Sequence, residues 1–421
     1  GEIFFSFATL VLLLEWIRSG FKIRFLIYSG VLCGLALGTK YNGLITLFLL
    51  TLFVPFIYSK YHKDSSSGFL KPAVFGASFL FVSLLVFSPW MIRNYHWTNN
   101  PVYPLYNEVF NPQKTVAKSP PSQENYQKQN RGFFTYRSMI YHESGWQIAL
   151  LPIRIFYQGR DGDPQYFDGR LNPFLFLLPF FAFVRSKSES EFVRREKKIL
   201  LVFALLFLCF SFFSAVIRIR YLSPIIPPLV ILSVFGVKNL IEVFKQSYSN
   251  FMRWLALALV VLILGFSFSL NANYLIRQFK YVKPFIYLGG SVTRDKYIAK
   301  YRPEYQAMNY INENLDPDAR LLFLFIGKRG YYCDREYILD TGFINGLIKR
   351  SNIPEDILQG LNKKGITHLL IFNYLFERWM KDNFSEDKQV MTQKFFHDHV
   401  RLLFHENGFG VMSIHTSPSA E

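Results

Sequence analysis

The sequence is poor in cysteine and in acid, and both shortages restrict what it can be. Of its three cysteines, Cys33 and Cys209 lie inside apolar runs and Cys333 stands alone near the C-terminal end, so no intramolecular disulfide framework follows. There is no GxxxxGK[ST] phosphate loop, HExxH helix, GxSxG elbow or paired CxxC, which leaves ATP-driven transport without support. No internal repeat is visible. The first apolar run, Ile3–Trp16, has no basic leader and no small-residue cleavage site, so it does not read as a signal peptide. Residue 1 is Gly rather than Met, and the expectation is a fragment whose earlier spans are missing.

Apolar and aromatic residues are abundant. The chain is 51% hydrophobic, with 46 Phe among its 421 residues. Phe69–Ile92 and Trp254–Leu270 are long enough, or nearly so, to cross a hydrocarbon core roughly 30 Å thick. Shorter runs occupy Ile3–Trp16, Phe25–Thr39, Leu44–Tyr58, Pro173–Val184, Ile199–Val216 and Leu222–Val237. The expected class is an α-helical polytopic membrane protein of about eight spans with a C-terminal extracytoplasmic α/β domain. The expected division is a membrane domain over 1–271, with a long outer loop at 94–170, and the α/β domain over 272–421.

The acid shortage leaves a formal net charge of +17, from 47 Lys and Arg against 30 Asp and Glu. In a soluble protein this would suggest nucleic acid. Here most of the excess lies in short loops between apolar runs, where it sets orientation and points to no nucleic-acid partner. The basic loops are Arg18, Lys22 and Arg24; Lys60, Lys63 and Lys71; Arg185, Lys187, Arg194, Arg195, Lys197 and Lys198; and Lys238, Lys245 and Arg253. They fall at every second loop, so the positive-inside rule makes them cytoplasmic and leaves 40–42, 94–170, 217–221 and the C-terminal part outside.

Four cations break that pattern: Lys40, Arg93, Arg218 and Arg220 sit at outer helix ends. Arginine presents a planar fork suited to phosphate oxygens, so such a group suits a lipid-linked phosphate. Snorkelling to headgroups is the simpler role for the arginines, and interface anchoring for Lys40. Pro224, Pro227 and Pro228 follow Arg220-Tyr221 and free backbone carbonyls near the interface. Gly34, Ala36 and Gly38 before Lys40 permit close helix packing. In the outer loop, His142, Glu143, Asp161, Asp163 and Asp168 are acceptor-site candidates and could hold a divalent cation or act as general acid or base. Their spacing matches no metal signature, and turn formation is the simpler role for the aspartates. Glu2, at the mouth of the first span, is a candidate for a catalytic or metal-binding acid.

In the C-terminal part, Arg320–Ile326 and Thr367–Phe372 read as buried strands, and Glu304–Leu315, Pro354–Asn362 and Asn383–Val400 as helices. Glu406-Asn407-Gly408, between Arg401–His405 and Gly410–His415, reads as a hairpin turn.

Four stretches carry a family resemblance: Gly34–Gly43; Pro89-Trp90 with Arg93-Asn94 and Asn100–Pro104; Phe167-Asp168-Gly169 with Asn172–Phe176; and Arg220-Tyr221 with Pro224 and Pro227. Ser291–Tyr297, Tyr310-Ile311-Asn312 and Tyr331–Tyr337 add to it. Together they resemble the polyprenyl-phosphate-sugar-dependent membrane glycosyltransferases of the C-type (GT-C) fold, among them bacterial relatives of the dolichyl-phosphate-mannose–protein mannosyltransferases. The resemblance implies inverting transfer of a sugar from a polyprenyl-phosphate donor to a lipid, glycan or protein acceptor, at the outer face of a bacterial cytoplasmic membrane. It implies donor-phosphate binding by Arg220, Tyr221, Lys40, Arg93 and Arg218. It also implies a main catalytic acid in an outer loop preceding this sequence, with Glu2 near a second acidic position. The competing readings are a transporter or flippase of lipid-linked saccharide, which would be expected to show repeat symmetry and midplane polar residues, and a non-catalytic membrane scaffold.

Overall fold

The computed structural model describes residues 1–62, 68, 70–112, 133–184, 189–212, 217–247 and 250–415. Lys63, Phe69, Arg185, Lys187 and Val216 lie outside the described residues, as does the side chain of Lys245. The chain divides into two compact units, Gly1–Arg277 and Gln278–Glu421.

The first unit is helical. In chain order its helices are α1 (Glu2–Arg18), α2 (Ile23–Thr39), α3 (Gly43–Tyr61), α4 (Leu70–Thr98), α5 (Asn107–Phe110), α6 (Phe133–Tyr141), α7 (Gly145–Ala149), α8 (Leu151–Tyr157), α9 (Phe174–Phe181), α10 (Glu191–Phe212), α11 (Ile226–Ser247) and α12 (Asn250–Val282). Two 3-10 turns, Ile219–Tyr221 and Ser223–Ile225, lead into α11. Among the described residues four helical stretches are long and apolar enough to cross a membrane: Gly43–Tyr61, Leu70–Thr98, Ser223–Val243 and Arg253–Val282. α2 is apolar but only 17 residues long. The other expected spans differ for plain reasons. α1 has 17 residues and carries Glu2, Glu15 and Arg18, α9 has only eight, and α10 opens on the charged stretch Glu191–Lys198.

Bare glycine surfaces set the packing. Gly30, Gly34 and Gly38 recur every four residues along one face of α2, and α4 lies against it. A Cβ added to Gly34 would stand 2.5 Å from the Ser83 carbonyl, and one on Gly38 2.9 Å from the Trp90 ring. Backbones come this close only where side chains are missing, as in small-xxx-small helix pairs. Gly236 does the same for α11 on α9, where a Cβ would meet the Leu178 carbonyl at 2.1 Å. Two buried hydroxyls bond across helices: Ser29 donates to the Thr9 carbonyl and Thr46 to the Ser6 hydroxyl.

Contacts within this unit sort the charged loops into two groups. Arg18 makes a paired hydrogen bond to Glu196, at 2.8 and 2.9 Å, and Arg195 lies over the Tyr61 ring at 4.9 Å. The C-terminal ends of α1 and α3 therefore meet the start of α10. Buried Lys197 donates to the Ala182 carbonyl and pairs with Glu189, while Asn239 donates to the carbonyls of Phe181, Ala182 and Val184. Together they satisfy the last carbonyls of α9. The loop after α2 gathers with Glu2 and Tyr221 instead.

The second unit is α/β. It contains α13 (Pro284–Leu288), α14 (Arg294–Tyr301), α15 (Tyr305–Asn314), β1 (Arg320–Leu324), β2 (Glu336–Ile338), α16 (Thr341–Arg350), α17 (Pro354–Lys363), β3 (His368–Phe372), α18 (Asn373–Asn383), α19 (Glu386–His399), β4 (Val400–Glu406) and β5 (Phe409–Ile414). The sheet order is β2-β1-β3-β5-β4. β2, β1 and β3 are parallel, and β5 and β4 antiparallel. Leu322 pairs with Leu369, and Leu370 with Val411, so the central strands are apolar on both faces, as expected of strands covered on both sides. Asn407 and Gly408 supply the positive φ angles, 53° and 80°, that the hairpin turn needs. The helix expected over Asn383–Val400 is present as α19, Glu386–His399; it starts three residues later, behind Ser385, because α18 runs on to Asn383.

Candidate functional site

Residues from three separate stretches of the sequence meet where α1 begins and α2 ends. Asn42 donates one amide hydrogen to Glu2 Oε1 at 2.6 Å and the other to the Tyr221 carbonyl at 2.7 Å. Lys40 Nζ stands 3.7 Å from Glu2 Oε2 and 4.3 Å from the centre of the Tyr221 ring. Arg220 lies over the same ring at 5.3 Å. Glu2 is buried, Tyr221 partly buried, and Arg220 exposed. Among the described residues the Arg220 guanidinium has neither an ion pair nor a hydrogen bond. Lys40 is thus balanced by a carboxylate, whereas Arg220 offers its donors to solvent or to a ligand.

A strained loop places this arginine segment. Phe167, Asp168 and Gly169 have φ of 70°, 44° and 153°, conformations that cost Phe and Asp on the order of 1–3 kcal/mol each. The bend aims the Phe167 carbonyl at the Ile219 amide, 2.9 Å away, and brings Asp168 Oδ2 to 3.3 Å from Arg218 Nη1. A side chain on Gly169 would meet Ile219. Arg218 is therefore paired, and it pins the 3-10 turn that presents Arg220.

The neighbouring helix ends are tied by Tyr41, whose hydroxyl donates to the Tyr103 carbonyl at 2.6 Å and accepts from Asn94 Nδ2 at 2.7 Å. Arg93 is exposed and stacks on Trp97 of its own helix at 4.9 Å, so no contact joins it to Lys40 or Arg220.

Most candidates in the 94–170 segment are held by hydrogen bonds or ion pairs. Glu143 is buried between Arg137, at 2.5 and 2.8 Å, and Arg154, at 3.0 Å. Arg137 is 1% exposed and also donates to the Gln165 carbonyl. Burial raises the Glu143 carboxyl, but the hydrogen bonds and charges of the two arginines outweigh it and leave the pKa below the ordinary value. Asp163 accepts from the Gln165 amide, Asp168 from the Gly162 amide, and Asp161 from the Tyr274 hydroxyl at 3.0 Å. His142 has a φ of 53° beside Glu143. Among the described residues no three of His, Cys, Asp and Glu gather as a metal-binding group.

Sequence reasoning missed the bridging role of Asn42 and the buried Arg137. An amide next to an out-of-place lysine at a tight turn is a signal for the first. Nothing local marks the second. Compared with family models and with curated proteins, the sequence matches none.

Proposed function

We propose that the chain is part of a membrane glycosyltransferase that moves a sugar from a polyprenyl-phosphate donor to a lipid, glycan or protein acceptor, with Arg220 and Lys40 binding the donor phosphate. The observation that carries this reading is the exposed, unpaired guanidinium of Arg220, which shares the Tyr221 ring with the Lys40 ammonium. Two cations beside one aromatic ring, with Lys40 paired to Glu2 and the Tyr221 backbone held by Asn42, suit the phosphate that separates when the sugar leaves. In that step the acceptor hydroxyl oxygen attacks the anomeric carbon, the bond from that carbon to the phosphate oxygen breaks, and the electron pair stays on the polyprenyl phosphate. Donors set in advance around this growing charge lower the barrier. The hydroxyl proton passes to a carboxylate, and Glu2 is the one carboxylate bonded into this cluster among the described residues.

The same proposal includes about eight spans, with the α1–α2 mouth and the second unit on the outer side of a bacterial cytoplasmic membrane. The alternation of basic loops supports it, as does the clustering of Arg18, Tyr61 and Arg195 apart from Lys40 and Tyr221.

The test uses membranes carrying the protein and radiolabelled polyprenyl-phosphate sugars. Label should leave the lipid with the wild type, and the rate should fall by about 10²–10³ in Arg220→Ala while insertion is unchanged. Wild-type turnover in that variant would remove the phosphate-binding role.

A further inference from the structure

A polar cavity of about 220 Å³ opens between the 156–173 segment and α12. Its polar lining is Arg170, Asn172, Asn271, Asn273, Tyr274 and Arg277. Both arginines are exposed, and among the described residues neither has an ion pair or a hydrogen bond. The wall is rigid where it matters. Asn172 Nδ2 lies 3.1 Å from the Ser267 carbonyl and 3.1 Å from Asn271 Oδ1, which ties the turn to the helix and leaves the Asn271 amide hydrogens free to donate. On the other wall, Gly159 lies so close to the Gly169 carbonyl that a Cβ would stand 2.2 Å from it. Tyr274 is already committed to Asp161.

The position in the chain also matters. Asn271, Asn273, Tyr274 and Arg277 follow directly on the apolar stretch Trp254–Leu270, and Arg170–Pro173 directly precedes the apolar helix α9. The cavity therefore lies where two apolar elements turn polar, the level at which phosphate headgroups lie in a bilayer. Its volume is below the roughly 300–1,000 Å³ of sites that enclose a whole small-molecule ligand. It suits a phosphate with a small polar substituent.

We infer that this cavity is a phosphate-ester site, distinct from the Lys40–Tyr221 cluster, in which Arg170 and Arg277 hold the phosphate oxygens and the Asn271 and Asn273 amides hold the polar substituent. A phospholipid headgroup and a soluble phosphate ester offer the same chemistry. The inference is independent of the proposed transfer reaction, because its test reads binding.

The full chain would be purified in a zwitterionic detergent and given phosphatidylglycerol, or glycerol 3-phosphate in a parallel arm, with bound adducts counted by native mass spectrometry. The variants are R170Q/R277Q and, as a charge-preserving control, R170K/R277K, each checked for monodispersity. Retention of phosphatidylglycerol by the wild type, falling about tenfold or more in R170Q/R277Q but largely kept in R170K/R277K, supports a lipid-headgroup site. Binding of glycerol 3-phosphate alone, with the same loss, supports the site and assigns it to a soluble ester. No binding in either arm, or equal binding by wild type and R170Q/R277Q, overturns the inference.

Discussion

Replacing Glu143 with Gln should open the α6–α8 region more than any other single change of a side-chain charge in that segment. Glu143 lies 2.5 and 2.8 Å from the Arg137 guanidinium and 3.0 Å from that of Arg154, and Arg137 is only 1% exposed. Gln keeps the shape but removes the negative charge, so a guanidinium shut away from water faces a second one without compensation. Removing one partner of a buried pair costs about 3–5 kcal/mol, or roughly two to three and a half orders of magnitude in the opening equilibrium. Arg154→Gln should cost less, about 1–2 kcal/mol, because Glu143 keeps both bonds to Arg137. Hydrogen exchange over residues 133–157 in the intact chain reads this directly, since local opening sets the protection there. The pH dependence has a definite sign. The folded Glu143 pKa lies below its ordinary value of 4.5, so its contribution is fully present above about 4.5 and is lost as pH falls through the lower, folded value. Glu143→Gln should not show that loss. Protection in Glu143→Gln within about threefold of wild type would refute the reasoning, since so small a change cannot follow from a stranded buried guanidinium.

Other expectations follow from close approaches and orphaned atoms. Gly236→Ala should destabilise the α9–α11 contact by at least about 1–3 kcal/mol, because the new methyl meets the Leu178 backbone carbonyl and not a side chain that can turn away; thermal inactivation in detergent checks it. His399 is buried with no hydrogen bond to either ring nitrogen among the described residues, Nε2 standing 3.9 Å from Glu355 Oε1, so His399→Leu should leave the second unit as stable as wild type or slightly more so, by denaturant unfolding of the full chain. Asn42→Ala should lower transfer by about tenfold or more without unfolding the protein, because it frees Glu2 and the Tyr221 carbonyl together; single-turnover rates beside a circular dichroism spectrum would show it.

Much of the fold was legible in the sequence where the signal is local. The Asn407-Gly408 turn follows from the positive φ that these two residues tolerate, and Gly34 and Gly38 before Lys40 announce a helix packed without side chains. The small elements were not legible. The strand Glu336–Ile338 has three residues and pairs only along the edge of β1, too short for an alternation to register. The candidate site was legible in part. Lys40 and Arg220 stand out because they oppose the charge pattern of the loops. Their meeting through Tyr221, 181 residues from Lys40, is tertiary, and so is the strain at Phe167-Asp168 that presents the arginine turn. Glu143 looked chemical in sequence because its burial between Arg137 and Arg154 leaves no local trace.

The most direct test of the central claim is a double-mutant cycle on release of labelled sugar from polyprenyl phosphate, using wild type, Arg220→Ala, Lys40→Ala and the double variant in membranes. If both cations act on one phosphate, each single change slows release by about a hundredfold or more, and the double variant is slower than either single by much less than the product of the two losses. Release at the wild-type rate in Arg220→Ala, with protein level and insertion unchanged, would contradict the account.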